Sequence, residues 1–401
     1  MKNKQNPLTI KAKNYGKVCS HLFYDYCSWI LEQVNLLNIK KVFFFTREGI
    51  FFHRVASQLN KRLSNEIDLC ILEVSRVATF LPSINLEQKN PFQRLWDMFP
   101  HQSAESFFYS ISLQNNLQLK EIFEQTGYKY DSIIHYIARD KIFQSFLKNK
   151  KVLSIIEEAI NESKYKLECY LTKQRFFDTP EVAIVDIGWR GSIQDNLSQI
   201  CPLQTIYGFY LGLHFFKSDT SVNKYKKAFL FNGNESKFFS IYECLLRFVL
   251  PLEILCNNST HSVLGYHGTN EKNITPLYQK IECKKQEVLT KQIILPFQQA
   301  VLDEIKQYNQ PILNIKRHRK KLINIVWRPN EALVYFYKNT YFNNLYGAGL
   351  LLSPKKIKMK HSGWPSGYLY GKIPKLLLNF IPFFYLLYCL LTLDTYLIRK
   401  K

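Results

Sequence analysis

The sequence predicts an α/β fold organised around a mostly parallel β-sheet. Predominantly apolar stretches at residues 42–45, 181–186 and 205–213 have the length and composition of strands buried on both faces. A short polar loop that contains glycine follows the first two runs, and helical periodicity resumes after each loop. Strand, loop and helix in this order form βαβ units, whose right-handed crossovers place successive strands parallel to one another.

The first half of the predicted sheet comes from residues 18–89. Apolar residues recur at helical spacing over residues 18–37, which predicts an amphipathic helix. The strand at 42–45 and a second helix follow. A further strand is predicted at 69–74, and Ser75 and Arg76 come directly after it.

A helical insertion separates the two halves of the sheet. Residues from about 90 to 175 are rich in aromatic side chains and show no strand pattern. After the strand at 181–186, a glycine-rich turn leads into a helix from about 192 to 200. We therefore divide the chain into a first core half at 18–89, an insertion at 90–178, a second core half at 179–235, a mixed C-terminal region at 236–352 and a basic, apolar tail at 353–401.

Composition favours a folded cytoplasmic protein. The chain has 401 residues, of which 46% are hydrophobic, so it can bury a substantial core and is not of the disordered class. None of the nine cysteines belongs to a CxxC pair, which argues against a zinc ribbon or a redox dithiol. Scattered thiols suit the reducing cytoplasm, and residues 1–17 contain no apolar stretch typical of a signal peptide.

Positive charge is concentrated in the last third of the chain. The net charge is +22, and residues 271–401 carry 22 Lys and Arg against 7 Asp and Glu. The runs at 316–321 and 355–360 contribute much of this excess, which favours anionic partners or, alternatively, is a lysine-rich solvated surface. Nucleic acid is not expected as a partner, because base-stacking aromatics do not interleave with these runs.

The tail contains an almost continuous apolar stretch at residues 376–393. Eighteen residues of helix would reach about 27 Å, so spanning a membrane is just feasible. Pro382 and the basic residues on both sides fit better with a helix that lies at the inner face of the cytoplasmic membrane, on an anionic lipid surface. The alternative is a helix buried against the domain.

The strongest local motif is VAIVDIGWRGS at residues 182–192. Asp186 emerges at the C-terminal edge of a buried strand, which is where open α/β sheets bind their ligands. Gly188 and Gly191 permit a tight turn, and Ser192 is expected to cap the next helix. Together with Arg190, the N–H groups at that helix start would form a phosphate cradle. The sequence matches neither a P-loop nor a dinucleotide fingerprint.

A second motif, FFFTREG at residues 43–49, has the same predicted geometry. Arg47 offers a forked cation suited to phosphate oxygens, Glu48 can share Mg²⁺ or orient that arginine, and Gly49 allows the turn. Arg76 adds a cation after the neighbouring strand. Cations in two places with a carboxylate between them fit a sugar that carries phosphate at both ends. 5-Phosphoribosyl-1-pyrophosphate (PRPP) is such a molecule.

These motifs resemble a known family. The stretch at 182–192 is similar to the PRPP-binding loop of type I phosphoribosyltransferases, and FFFTREG resembles their pyrophosphate loop. More closely, FFFTREG, VSRVATFLPS and VDIGWRGSIQDNL look like the domain that is often fused to a HAD-type phosphatase in bacterial capsule and O-antigen biosynthesis proteins. Residues 253–266, with Ser262 and Gly265, resemble another stretch of that family.

The resemblance implies a type I phosphoribosyltransferase-like topology and the transfer of 5-phosphoribose from PRPP to a glycan hydroxyl, with Mg²⁺. It assigns catalysis to Asp186, Arg47 and Glu48, with region 236–352 on the side of a lipid-linked or growing glycan acceptor. A phosphatase would then leave ribofuranose. The residues implied in substrate binding are Gly49, Ser75, Arg76, Gly188, Trp189, Arg190, Gly191, Ser192, Gln194 and Glu253.

Three departures from the family pattern matter. Type I enzymes usually have two adjacent acids where this chain has Asp186 followed by Ile187, so a second acid is expected from elsewhere, with Glu253 as the candidate. Glu48 stands where the family more often has aspartate. No DxDx[TV]-like nucleophile motif occurs near the N-terminus, so the HAD-type phosphatase is expected to be a separate protein. The metal ligands and the general base are not assigned.

Two other functions fit parts of the sequence. A glycosyltransferase that uses a nucleotide sugar would explain the basic, apolar tail equally well, but it explains less well two phosphate-type loops on neighbouring strands. A non-catalytic, membrane-bound assembly scaffold would need the tail and tolerate Asp186→Asn.

Overall fold

A computed structural model describes residues 6–63, 66–215, 222–235, 241–257, 262–279, 284–343, 351–352, 354, 358–359 and 362–391. The described part is a mixed α/β structure whose main sheet has five parallel strands. The strands are β1 (Lys41–Phe45), β2 (Asp68–Leu72), β3 (His101–Gln102), β4 (Ile134–His135), β5 (Glu181–Trp189), β6 (Thr205–Leu213), β7 (Lys224–Ala228), β8 (Val263–His267), β9 (Thr275–Tyr278), β10 (Phe342–Asn343) and β11 (Leu351–Leu352).

Helices surround this sheet and form most of the remaining structure. They are α1 (Pro7–Leu36), α2 (Glu48–Asn60), α3 (Arg76–Phe80), α4 (Gln93–Met98), α5 (Ala104–Ser110), α6 (Leu117–Glu124), α7 (Lys141–Leu147), α8 (Lys150–Lys173), α9 (Ser192–Ile200), α10 (Ile241–Leu245), α11 (Leu250–Cys256), α12 (Lys284–Leu289), α13 (Leu295–Glu304), α14 (Ile315–Trp327), α15 (Glu331–Asn339), α16 (Pro365–Leu369), α17 (Lys375–Leu378) and α18 (Ile381–Leu391).

The order of the main sheet is β2-β1-β5-β6-β7. From β1 the chain continues to β2 on one side, whereas the later strands are added on the other side of β1. The connection direction therefore reverses between β1 and β5, where Phe44 pairs with Val185. Open α/β sheets bind ligands at such a switch point, outside the carboxyl ends of the strands.

The sheet is covered on both faces, as the apolar strands predict. Phe44 and Val185 belong to a core that includes residues of α1, α2 and α13. Phe43 and Ile184 point to the opposite face, into a core shared with α8 and α9. Successive strand residues alternate between the two faces, so every residue of β1 is buried.

The insertion between β2 and β5 is mainly helical and has a hydrophobic core of its own, formed by residues between Phe80 and Ile160. The expectation that this region lacks strands is wrong in one detail. His101 and Gln102 pair in an antiparallel ladder with His135 and Ile134. The ladder is only two residues long on each side, too short to produce a periodic signal in the sequence.

Other boundaries differ from the sequence predictions. The first helix begins at Pro7 rather than near residue 18, with the Asn6 side chain accepting a hydrogen bond from the Leu8 N–H. β2 ends at Leu72, two residues early, and β5 continues to Trp189. The edge strand β7 was not predicted.

The apolar stretch of the tail is divided into α17 and α18 by Asn379 and Phe380. In the part of the chain that the structure describes, no helix is long and apolar enough to cross a membrane. Residues 392–401, with the predicted basic end of the stretch, lie outside the described residues, as does most of the run at 355–360.

Candidate functional site

The loop after β1 has an unusual backbone at Arg47. This residue has φ 70° and ψ −103°, a backbone conformation that residues other than glycine rarely adopt. The loop is tied to the end of β2, because the Thr46 hydroxyl donates a hydrogen bond to the carbonyl of Val74 at 2.9 Å. Backbone strain of this kind costs about 1–3 kcal/mol and is concentrated at functional sites.

Arg47 and Glu48 form an ion pair at the start of α2. The Arg47 Nη2 lies 3.1 Å from Glu48 Oε1. The Glu48 side chain is only 8% exposed, whereas that of Arg47 is 37% exposed, so a ligand can reach the arginine more readily than its partner. Gly49 is buried in the first turn of the same helix.

The end of β5 contains a second run of unusual backbone. Gly188, Trp189 and Gly191 have φ values of 113°, 74° and 66°. A Cβ at Gly188 would lie 2.3 Å from the carbonyl oxygen of Gly212 on β6, so only glycine fits there. The turn places the Trp189 ring beside α11, and its Nε1 donates a hydrogen bond to Glu253 Oε1 at 3.0 Å.

The side chains at this edge of the sheet interact electrostatically. Burial and, after it, the negative charge of Glu48 raise the pKa of Asp186 to about 7, against the opposing effects of the Ile187 N–H, Arg47 and Arg76. Burial and Glu48 likewise raise the pKa of Glu253. The pKa of Arg47 is raised chiefly by Glu48, against the cost of burial. The structure therefore brings together three carboxylates and two arginines from the starts of α2 and α3, from β5 and from α11.

The segment after β2 contributes the charge of Arg76 to the site, whereas the hydroxyl of Ser75 is bonded within the protein. Ser75 caps α3, since its Oγ accepts a hydrogen bond from the Ala78 N–H at 3.1 Å, and it also donates to the carbonyl of Val263. Its hydroxyl is thus engaged within the protein. Arg76 is exposed, and its charge lowers the pKa of both Asp186 and Glu253.

The observed start of α9 differs in detail from the predicted phosphate cradle. Ser192 does not cap α9, because Gly191 is the N-cap residue in the left-handed conformation and Ser192 is the first helical residue. The reason is that β5 runs on to Trp189 and the turn is tighter than predicted. The first-turn N–H groups of α9 still lack intrahelical partners, and the Arg190 side chain is exposed next to them.

Gln194 lies inside the protein rather than at the sheet edge. Its Nε2 donates to the carbonyls of Ile206 at 2.7 Å and Tyr225 at 3.0 Å, and its Oε1 accepts from the Tyr210 hydroxyl at 2.7 Å. The side chain is fully buried. Gln194 therefore holds α9 against β6 and β7.

Sequence reasoning missed two lysines beneath the turn at 188–191. Lys224 and Lys226 of β7 each place Nζ 2.7 Å from Asp195 Oδ1, and Lys226 Nζ donates to the Arg190 carbonyl at 3.1 Å. Two cations on one carboxylate leave a net positive charge under the start of α9. Their spacing of two residues, which puts both on one face of a strand, was the available signal.

Two further residues support the site from behind. The buried Tyr26 hydroxyl donates to the backbone carbonyls of Asp186 at 3.0 Å and Phe209 at 3.1 Å, which ties α1 to the functional end of β5. The His214 ring lies 5.8 Å from the Trp189 ring, and burial lowers its pKa to about 4. His214 is thus neutral near pH 7.

A Mg²⁺ ion at this site would need oxygen donors from a bound substrate in addition to those of the protein. Across the described ranges, no group of three or more His, Cys, Asp or Glu side chains is arranged to hold a metal ion. Mg²⁺ is commonly held by one or two carboxylates together with substrate phosphates and water. Glu48 and Asp186, whose charges interact, are suitable oxygen donors for that arrangement.

Comparison with known proteins adds no assignment, since no family model and no curated protein matches the chain.

Proposed function

We propose that this protein is a glycan phosphoribosyltransferase. It transfers 5-phosphoribose from PRPP to a hydroxyl of a surface-polysaccharide acceptor, either lipid-linked or growing. The observation that carries the proposal is the meeting of Arg47, Glu48 and Asp186 at the switch point between β1 and β5, next to the positive-φ backbone at Arg47 and in the turn at 188–191.

The sheet order is compatible with a type I phosphoribosyltransferase-like topology. Numbered along the chain, the five parallel strands lie in the order 2-1-3-4-5, and the two resembling loops follow the first and third of them. These are the two strands that flank the switch point. In the proposed binding mode, a sugar with a phosphate group at each end spans the two loops.

The proposed binding mode assigns one loop to each phosphate. Arg47 and Arg76 face the pyrophosphate, while Arg190, Ser192 and the first-turn N–H groups of α9 face the 5-phosphate. The lysines beneath that turn add positive charge to the second position.

Asp186 and Glu253 supply the pair of acids for the ribose hydroxyls. Type I phosphoribosyltransferases usually have two adjacent acids at this point, and this chain has one. Glu253 lies against Trp189 at the end of the same strand, in electrostatic contact with Arg47. It supports the proposal by supplying the second carboxylate from another element.

Transfer breaks the bond between ribose C1 and the pyrophosphate oxygen and forms a bond from C1 to the acceptor oxygen, whose proton is released. Arg47 stabilises the charge that grows on the departing pyrophosphate, and the Asp186 carboxylate stabilises the developing ribosyl cation. Bound Mg²⁺ would neutralise further phosphate charge. The product retains its 5-phosphate, which a separate HAD-type phosphatase removes to give ribofuranose.

The test is a transfer assay on the purified chain with PRPP, Mg²⁺ and a panel of lipid-linked and synthetic glycans, read by mass spectrometry. We expect a product heavier by one phosphoribosyl group and release of pyrophosphate. Arg47→Ala should abolish both, whereas the matched control Arg54→Ala, whose side chain contacts Gln299 on the exposed surface, should not. Consumption of a nucleotide sugar with no use of PRPP would overturn the proposal in favour of an ordinary glycosyltransferase.

A further inference from the structure

The helix α18 is apolar around its whole circumference. Its eleven residues, IPFFYLLYCLL, include no charged side chain. A helix of this kind is normally enclosed by protein or lipid on all sides, because a half-exposed helix carries polar residues on its outer face. Within the described ranges, protein covers only one side of α18.

The covered side packs on α14 and on the loop after α10. The Tyr385 ring lies 5.0 Å from the ring of Phe248 and 5.4 Å from that of Trp327. Cys389, one turn further along, is buried. Positions 381, 385 and 389 thus form a stripe at helical spacing that anchors α18 to the fold.

The other side faces outward with large apolar side chains. Phe383 and Phe384 are each 63% exposed, and Leu391 is 79% exposed. The turn before α18 continues this surface. We name the apolar face as the set Leu376, Leu377, Phe380, Phe383, Phe384, Leu387, Tyr388, Leu390 and Leu391, all of them exposed. A contiguous patch of this size marks a binding surface.

The part of the sequence that contains the apolar face is strongly basic. Residues 305–391 contain fourteen Lys and Arg and one acidic residue, Glu331. Lys372 and Lys375 are exposed directly before the face. On α14, exposed Lys316 and Lys320 share the helix side of Trp327, at spacings of four and seven residues. Such a rim disfavours a basic partner, including a second copy of this chain, and favours an anionic one.

We propose that α17 and α18 dock the protein on an anionic lipid bilayer, with the apolar face in the headgroup–acyl boundary and the lysines on the phosphates. Eleven residues of helix measure about 16 Å, roughly half of the hydrocarbon thickness, so α18 lies in the plane of the interface. None of the side chains of this face belongs to the site at the sheet edge, and the proposal does not depend on PRPP transfer.

The test is flotation of the full chain with vesicles of pure phosphatidylcholine and with vesicles that also contain phosphatidylglycerol. We expect the chain to float with the anionic vesicles and salt to weaken this binding. The double variant Phe383→Ser/Phe384→Ser should reduce partitioning by about tenfold or more, since it removes two aromatic side chains that the bilayer would bury. The matched control is Leu117→Ser/Leu203→Ser, at leucines that are 73% and 90% exposed elsewhere, and it should bind as the unaltered chain does.

A second variant, Lys372→Glu/Lys375→Glu, leaves the apolar face intact. It should lose its binding to the anionic vesicles, while its behaviour with pure phosphatidylcholine vesicles should not change. Circular dichroism and thermal unfolding should match the unaltered chain in all three variants, because every substituted side chain is exposed. The proposal is overturned if the unaltered chain floats with neither vesicle or if both test variants bind as it does. It is also overturned if the chain self-associates without lipid and Phe383→Ser/Phe384→Ser makes it monomeric, since a second copy would then cover the face.

Discussion

Replacing Asp186 by asparagine should have two opposite effects. We expect the rate of transfer to fall, because the carboxylate is lost, and the free energy of unfolding to rise, because a partly buried charge is removed. Asparagine has nearly the same volume but carries no charge at any pH. In the folded protein, burial and the neighbouring charge of Glu48 raise the pKa of Asp186 to about 7 from its ordinary value of 3.8. The ionised form is therefore disfavoured by the fold that positions it.

The sign and size of the stability effect follow from this difference. Between about pH 4 and pH 7 the unfolded chain has released a proton that the folded chain still binds, so stability falls as pH rises and the loss is complete above pH 7. A pKa difference of about three corresponds to about 4 kcal/mol. The side chain is partly exposed, so solvent screening reduces the effect to about 2 kcal/mol.

We therefore expect Asp186→Asn to be more stable than the unaltered protein at pH 8 by about 2 kcal/mol, and at pH 5, where less than half of the loss has occurred, by about 0.8 kcal/mol. For a chain of this length the gain raises Tm by about 2 °C. Transfer from PRPP should fall by about 10²–10³ at pH 8, the usual effect of losing one electrostatic contact to the transition state. Thermal unfolding at both pH values and the mass-spectrometric transfer assay measure the two effects.

The matched control is Asp178→Asn, at an exposed carboxylate that pairs with Arg175, and it should change neither property appreciably. The reasoning about Asp186 would be refuted if its asparagine variant lost stability at pH 8, or if it transferred phosphoribose at nearly the normal rate.

Three other substitutions test the geometry of the site. Gly188→Ala should destabilise the fold by about 2–4 kcal/mol in urea unfolding, because its Cβ would meet the Gly212 carbonyl at a φ of 113°; an unchanged midpoint would contradict the turn. Gln194→Leu should cost about 2–4 kcal/mol by leaving three buried hydrogen-bond partners unpaired, and no loss would mean that water replaces the amide. Arg47→Gly should be inactive yet about 1 kcal/mol more stable than Arg47→Ala, since glycine relieves the strained backbone; equal stabilities would count against strain there.

The parts of the fold that were predictable are those that local patterns encode. The strand at residues 205–213 was predicted with its observed bounds, and α9 begins and ends where expected. Both have a periodicity that depends only on neighbours along the chain. The strand β7 was missed because KYKKA is polar: it is an edge strand, and lysines on an edge strand discourage pairing with other chains rather than signal a buried strand.

Tertiary structure decided how the site is assembled. The sequence alone placed Arg47, Glu48 and Asp186 at the ends of strands, because an apolar run followed by a polar loop is a local signal. It did not predict that Trp189 reaches Glu253 across 64 residues of chain, or that Lys224 and Lys226 lie beneath the turn. It also predicted the N-cap of α9 at Ser192, one residue late. Gln194 was predicted to bind the ligand, whereas its side chain is buried and bonded within the protein. Burial, pKa and backbone strain are properties of the packed chain, since each depends on which distant segments exclude water from a group and fix its backbone.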